Sequence, residues 1–137
     1  MGLIVIDAGV LIGFLDGGDA HHATAHRALA GALERGDTVA MPASALAEML
    51  VGPSRRGPHA VSAVRNLVAS LPIVIVALDE TIAVTAADLR ARHPSLKLPD
   101  ALVIATASAR RADILVTTDR GWPTRAKLGL TASIVNL

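Results

Sequence analysis

Leu3-Ile-Val-Ile-Asp-Ala-Gly-Val-Leu-Ile-Gly-Phe-Leu15 sets two apolar runs on either side of a single acid. Residues 3–6 are a short, largely β-branched run, the pattern of a strand buried on both faces. Asp7 falls where that strand should end, and Val10 to Leu15 reads as the start of a short helix. Strand, acid, helix is a repeating unit of parallel α/β folds. In open sheets of that kind, ligands bind outside the carboxyl ends of the strands.

The alternation continues downstream. Ala20 to Arg35 reads as a helix with Ala25, Leu29, Ala32 and Leu33 on one face, ended by Gly36. Thr38 to Met41 is a second strand, stopped by Pro42, and Ser44 is expected to cap a helix reaching about Val51. Gly52-Pro-Ser-Arg-Arg-Gly-Pro58 is dense in breakers and is expected to be a loop within the domain. Ala60 to Ser70 is helical by pattern, and Ile73 to Leu78 is the most strand-like run in the chain. Asp79 begins a further helix to about Arg92, Pro99 suits the first turn of one reaching about Arg111, and Ile114 to Thr118 is a fourth strand. Ile134 to Leu137 is a candidate fifth. These readings predict an α/β fold, one domain over residues 1–137, with a central parallel sheet of about four or five strands and helices on both faces.

Composition narrows the function classes. Hydrophobic residues make up 52% of the 137, which excludes a chain disordered for lack of core material. With one Trp, one Phe and no Tyr, the chain cannot build the aromatic platform on which many RNA-binding sheets stack bases. Nucleic acid would have to be held through phosphates, metal ions and basic side chains. The absence of Cys excludes disulfides, thiolate zinc sites and a Cys nucleophile. A net charge of +1 gives little whole-molecule steering of anions. The first residues carry no Lys or Arg, Asp7 interrupts their apolar run, and no run approaches the ~20 residues of a membrane span. The expectation is a cytoplasmic protein.

The acids carry the chemistry. Asp7 follows the first strand, Glu48 lies in the helix after the second, Asp79 follows the third and Asp119 follows the fourth. Asp79 precedes Glu80-Thr-Ile and reads as a helix cap. Asp7 could be either a cap or a ligand. Glu48 sits in a nearly all-apolar helix, which implies burial, and burial requires a paired Arg or a cation. Asp100, in Leu98-Pro-Asp-Ala-Leu-Val-Ile-Ala105, could simply complement a helix dipole. Taken together, Asp7, Glu48, Asp100 and Asp119 are oxygen donors without a Cys among them, a set suited to Mg²⁺ or Mn²⁺. Such a cation polarises a phosphodiester and activates water, so no side-chain nucleophile is needed. His22 and His26, four apart with His21 and Asp19 nearby, are a weaker zinc candidate; a surface position is the simpler reading. Arg55 and Arg56 form one basic cluster, and Arg110, Arg111, Arg120, Arg125 and Lys127 flank Asp119 in sequence. A solvated surface is the plain reading of each; around an acidic metal site they would instead contact phosphates flanking the scissile bond, Arg55, Arg56 and Arg120 foremost.

Ile4-Val-Ile-Asp-Ala-Gly-Val-Leu11, Ser44-Ala-Leu-Ala-Glu48, Leu98-Pro-Asp-Ala-Leu102 and Leu115-Val-Thr-Thr-Asp-Arg120, in that order, resemble the motifs of the PIN-domain family, specifically its VapC-type toxins. The resemblance spans essentially the whole chain. It implies a metal-dependent endoribonuclease in which Asp7, Glu48, Asp100 and Asp119 are the Mg²⁺ or Mn²⁺ site and Thr117 has a supporting role. It also implies a homodimer restrained by a VapB-type antitoxin. Position 9 departs from the pattern, being Gly where the family usually has Ser or Asn, so a polar contact near the metal is expected to be missing. Two other readings stay open. One is a PIN-like interaction module with weak or no catalysis. The other is a phosphotransfer or phosphatase domain on a similar sheet, although Asp7 lacks the second acid such sites place beside the first strand, and Lys97 and Lys127 are the only lysines.

Overall fold

The computed structural model describes all residues from Met1 to Leu137. Five strands, β1 (Leu3–Ile6), β2 (Thr38–Pro42), β3 (Ile73–Val76), β4 (Ile114–Thr117) and β5 (Ser133–Asn136), form one parallel sheet in the order β3-β2-β1-β4-β5. Seven helices connect them: α1 (Ala8–Leu15), α2 (His22–Glu34), α3 (Ala43–Arg56), α4 (Pro58–Ser70), α5 (Glu80–Arg92), α6 (Leu98–Ala109) and α7 (Arg125–Leu128). The α/β class, the five parallel strands and the helical cover agree with the sequence reading.

Consecutive strand residues face opposite sides of a sheet. Ile4, Val5 and Ile6 are 3%, 0% and 0% exposed, so both faces of β1 are covered. Val39, Ala40 and Met41 on β2 and Leu115 and Val116 on β4 are buried likewise. Helix α6 accounts for much of the cover: Ala101 and the run Val103 to Ala107 are all buried. A helix apolar nearly all round belongs inside the molecule, and α6 packs on β1, β2 and β4 and against α3 and α5.

The strand order positions the site. The chain steps outward from β1 to β2 to β3, then returns to the other side of β1 for β4 and β5. The direction reverses between β1 and β4, and at such a switch point the crossovers part and leave a crevice at the carboxyl edge. Asp7 N–H donates to Val116 O (3.2 Å) at that edge.

Several expectations need correction. Residues 52–56 are helical, not a loop: α3 runs through Gly52 and Pro53 to Arg56. Pro53 forfeits one backbone donor and its ring crowds the Met49 carbonyl, a local cost that does not end the helix here, and the residue is buried. The turn is confined to Gly57, whose φ of 120° only glycine adopts without strain. Ser44 is the second residue of α3 rather than its cap; Pro42 holds that position, with no side-chain cap. The Ile73 to Leu78 run shortens to β3, an edge strand on which Val74 is 53% exposed. Leu33, placed with the buried face of α2, is exposed. Asp79 is the cap that was expected, accepting from Ile82 N–H at 2.9 Å.

Candidate metal and phosphodiester site

All four acids come from elements that begin or end at the carboxyl edge. Asp7 ends β1 and caps α1, accepting from Val10 N–H at 3.3 Å. Glu48 lies in the second turn of α3, which starts where β2 stops. Asp100 is in the first turn of α6. Asp119 lies two residues past β4.

Thr117 joins two of them. Its fully buried hydroxyl donates to Asp7 and accepts from the Asp119 backbone N–H at 3.0 Å. Asp119 Oδ1 in turn accepts from Gly121 N–H at 2.7 Å, and Asn136 Nδ2 donates to the Asp119 carbonyl. Asp7 and Asp119 are thereby fixed to β4 and β5 before any ligand arrives.

The acids sense one another. Burial pushes the Asp7 carboxyl above its ordinary range; hydrogen bonds from Thr117, Val10 and Gly9 offset part of that, and the charge of Asp119 adds to it. Asp100 is raised first by desolvation and then by Asp119, with Asp7 contributing. Glu48 is raised by desolvation, then by Asp100 and Asp7. As a residue Glu48 is exposed, which corrects the expectation of burial, yet its carboxyl is partly desolvated and feels the charges of Asp100 and Asp7.

No cation neutralises this cluster through an ion pair. The salt bridges of the molecule are Arg35–Asp37 and Arg92–Asp88, both elsewhere, so the alternative of a buried Glu48–Arg pair is absent. Lys97 stands close enough to lower the Asp100 pKa slightly without bonding it. Repelling, half-desolvated carboxylates with no counter-charge are a donor set that fits a hard divalent cation. No three acidic or histidine side chains are gathered tightly enough to grip one ion as they are placed. The cluster is therefore an open acidic cleft rather than a closed cage. That suits Mg²⁺, which keeps several waters and takes few carboxylates directly.

The remaining candidates distribute differently. Arg110 and Arg111 follow the last turn of α6 and precede β4, so they lie at the amino edge, a helix length from the acids, despite flanking Asp119 in sequence. Arg120 donates to Leu137 O at 3.1 Å, and Arg125 to Leu130 O and Thr131 O at 3.2 and 2.7 Å. Arg55 and Arg56 are exposed in the last turn of α3, where they also complement its dipole. Arg55 is seven residues beyond Glu48, hence on the same helix face about 10 Å further along. His22 Nδ1 bonds Gly13 O at 2.9 Å and His26 stacks on Phe14 at 5.3 Å, so these rings are engaged in packing rather than gathered as ligands.

Sequence reasoning missed Trp122, Lys97 and Asn136 near the acids. The Trp122 indole N–H stands beside the Asp100 carboxylate and lowers its pKa without completing a hydrogen bond; Nε1 is buried with no partner. Only the spacing of Trp122 three residues after Asp119 could have signalled this.

The sequence matches the PIN domain family over residues 4–128, and the chain belongs to that family. No curated protein matches it significantly. Among solved structures, it resembles Mycobacterium tuberculosis VapC20, described as a sarcin-ricin loop cleaving toxin, with a TM-score of 0.72 and 21% identity over 86% of this chain and 91% of that one. It resembles Rickettsia felis VapBC2 bound to a promoter DNA fragment, with a TM-score of 0.72 and 16% identity over 98% of both chains. A toxin–antitoxin complex from Klebsiella pneumoniae aligns with a TM-score of 0.63 and 26% identity over 88% of this chain and 92% of that one.

Proposed function

We propose that this protein is a metal-dependent endoribonuclease and the toxin of a VapBC-type toxin–antitoxin pair. The observation that carries the reading is the convergence of Asp7, Glu48, Asp100 and Asp119 on one crevice with no ion-paired counter-charge. Family membership and the toxin neighbours point the same way.

In this reading the four acids hold Mg²⁺ or Mn²⁺. When bound, the cation supplies Lewis-acid polarisation of the phosphodiester and a water of lowered pKa. The chain does the rest. Thr117 keeps Asp7 and Asp119 in register, so the donors are positioned in advance. Lys97 offers a positive charge to a phosphate lying over Asp100. Water adds at phosphorus and the P–O3′ bond breaks. One fragment leaves with a 3′-hydroxyl and the other keeps a 5′-phosphate.

Two protein partners belong to the same reading, a VapB-type antitoxin and a second copy of the chain. Exposed apolar side chains on α4 and the β3 edge, Leu67 and Val74 among them, offer surface for a protein partner. In this reading the site of action is the cytoplasm; no helix is long and apolar enough to cross a membrane.

The test is cleavage of a mixed RNA pool by antitoxin-free protein with Mg²⁺, Mn²⁺ or EDTA, beside the Asp7→Asn and Asp100→Asn variants. Cutting should require metal and vanish in both variants while their folds persist. Undiminished cutting by either variant would remove the assigned acids from the mechanism.

A further inference from the structure

Two hollows meet at Trp122. The smaller, about 210 Å³, opens over Asp100, Asp119 and Lys97 and belongs to the acidic cleft. The larger, about 480 Å³, lies against β5 and the turn leading to α7, bounded by Trp122, Arg120, Arg125 and Asn136. Asp119 and Trp122 line both, so the two are neighbours across these side chains. The acids do not account for the larger one; Asp119 is its sole member of the cluster.

Its lining is chemically distinctive. Arg120 and Arg125 are anchored through backbone carbonyls, which hold each guanidinium in place without neutralising it, and neither has a carboxylate partner. Each keeps N–H donors free, because a guanidinium has five. Trp122 packs against the hydrophobic core, so its ring is a fixed surface. Fixed cations beside a fixed indole are the elements of single-strand recognition: phosphates on the cations, a base on the ring. The size falls within the ~300–1,000 Å³ of small-ligand sites. The composition denies the chain a multi-ring platform, yet its one indole stands at the exit from the acids.

We propose that this cleft is the subsite for the nucleotide next to the scissile phosphate, a single-stranded ribonucleotide whose base packs on Trp122 and whose phosphate lies between Arg120 and Arg125. The assignment rests on the ribonuclease reading and adds the direction in which the strand leaves the acids. It makes Trp122 a substrate-contacting residue and the cleft the place where base preference is exercised.

Trp122 is the only Trp and the chain has no Tyr, so its fluorescence reports this cleft alone. The experiment uses the Asp7→Asn protein, to prevent cutting, and a fluorescein-labelled, mixed-sequence ten-nucleotide RNA. Anisotropy of the label measures binding, and Trp emission of the same protein with unlabelled RNA measures contact. We expect saturable quenching with the same midpoint as the anisotropy rise. Trp122→Ala should bind roughly ten- to a hundredfold more weakly, and Trp122→Phe should retain most of the affinity. The fluorescence measurement needs no substitution at Trp122, so misfolding of a variant does not void the test. Binding without quenching, or undiminished binding by folded Trp122→Ala, would overturn the subsite and leave the ribonuclease reading intact. No binding, together with no cleavage by the wild-type protein, would sink both.

Discussion

The hydroxyl of Thr118 occupies the space in which a side chain on residue 9 would begin. A Cβ built on Gly9 collides with Thr118 Oγ1 and lies 3.5 Å from Asp7 Oδ1. Gly9 sits in the first turn of α1 without a positive φ, so glycine is favoured here by room rather than by backbone freedom, as long as Thr118 keeps this rotamer.

Gly9→Ser should therefore be costly alone and tolerated with Thr118→Ala. Overpacking costs about 1–3 kcal/mol, reduced here to the extent that Thr118 can rotate. Urea midpoints for both single variants and the double should reveal a coupling of at least about 0.5 kcal/mol. Simple additivity would show that the two residues do not share the space.

Thr117→Val removes the hydroxyl that both donates to Asp7 and accepts from Asp119 N–H. Loss of a buried partner on this scale costs about 1–3 kcal/mol, and metal affinity should fall about 10–100-fold, as for other outer partners of ligands. The Asp7 carboxyl loses a hydrogen bond that lowers its pKa, so the acid limb of the activity profile should move to higher pH. Thr117→Ser should restore both. A Thr117→Val protein with wild-type metal affinity would reduce the bridge to packing.

Metal-free stability should fall as pH rises out of the carboxylate range. Asp7, Glu48 and Asp100 all bind protons more tightly folded than unfolded, Asp from 3.8 upward and Glu from 4.5 upward. For acids raised in this way, the stabilisation is complete below the unfolded pKa and is lost as pH climbs through the folded one. Thermal melts in EDTA should show this decline, and added Mg²⁺ should reverse it at neutral pH. Asp100→Asn should melt about 2–5 °C higher than wild type in EDTA at pH 7, because it relieves the repulsion. Equal melting points would mean that the repulsion is screened.

Arg55→Ala and Arg56→Ala should weaken RNA binding to a similar degree for every sequence. Each should lower the slope of log affinity against log salt by up to about 1 if it meets a phosphate. Neither guanidinium has an ion-pair partner, so the fold should be unaffected. An unchanged salt slope would leave them as dipole complements at the end of α3.

Most of the fold was legible because the buried strands are continuous apolar runs and the acids mark their ends. The same logic put Asp7 and Asp119 at strand ends and identified Asp79 as a cap. It failed where tertiary packing overrode a local signal. Pro53 is buried within a helix that its sequence seemed to forbid. Glu48 is exposed although its helix looked uniformly apolar. Arg110 and Arg111 are adjacent to β4 in sequence, but a parallel strand carries its neighbours to opposite edges of the sheet. Trp122 was invisible because nothing local tells which wall a lone ring will form.

The placement of β1 between β2 and β4 also sets the order of events during synthesis. A ribosome that has released residues 1–100 has already delivered Asp7, Glu48 and Asp100, yet one flank of β1 stays bare until residues 114–117 emerge to pair with it. The last acid and the hydroxyl that steadies the first arrive on that same late strand and the turn after it. On the nuclease reading, a nascent chain that has not yet delivered residues 114–119 lacks one of its four acids and the hydroxyl that steadies Asp7, so cutting competence would wait for that strand.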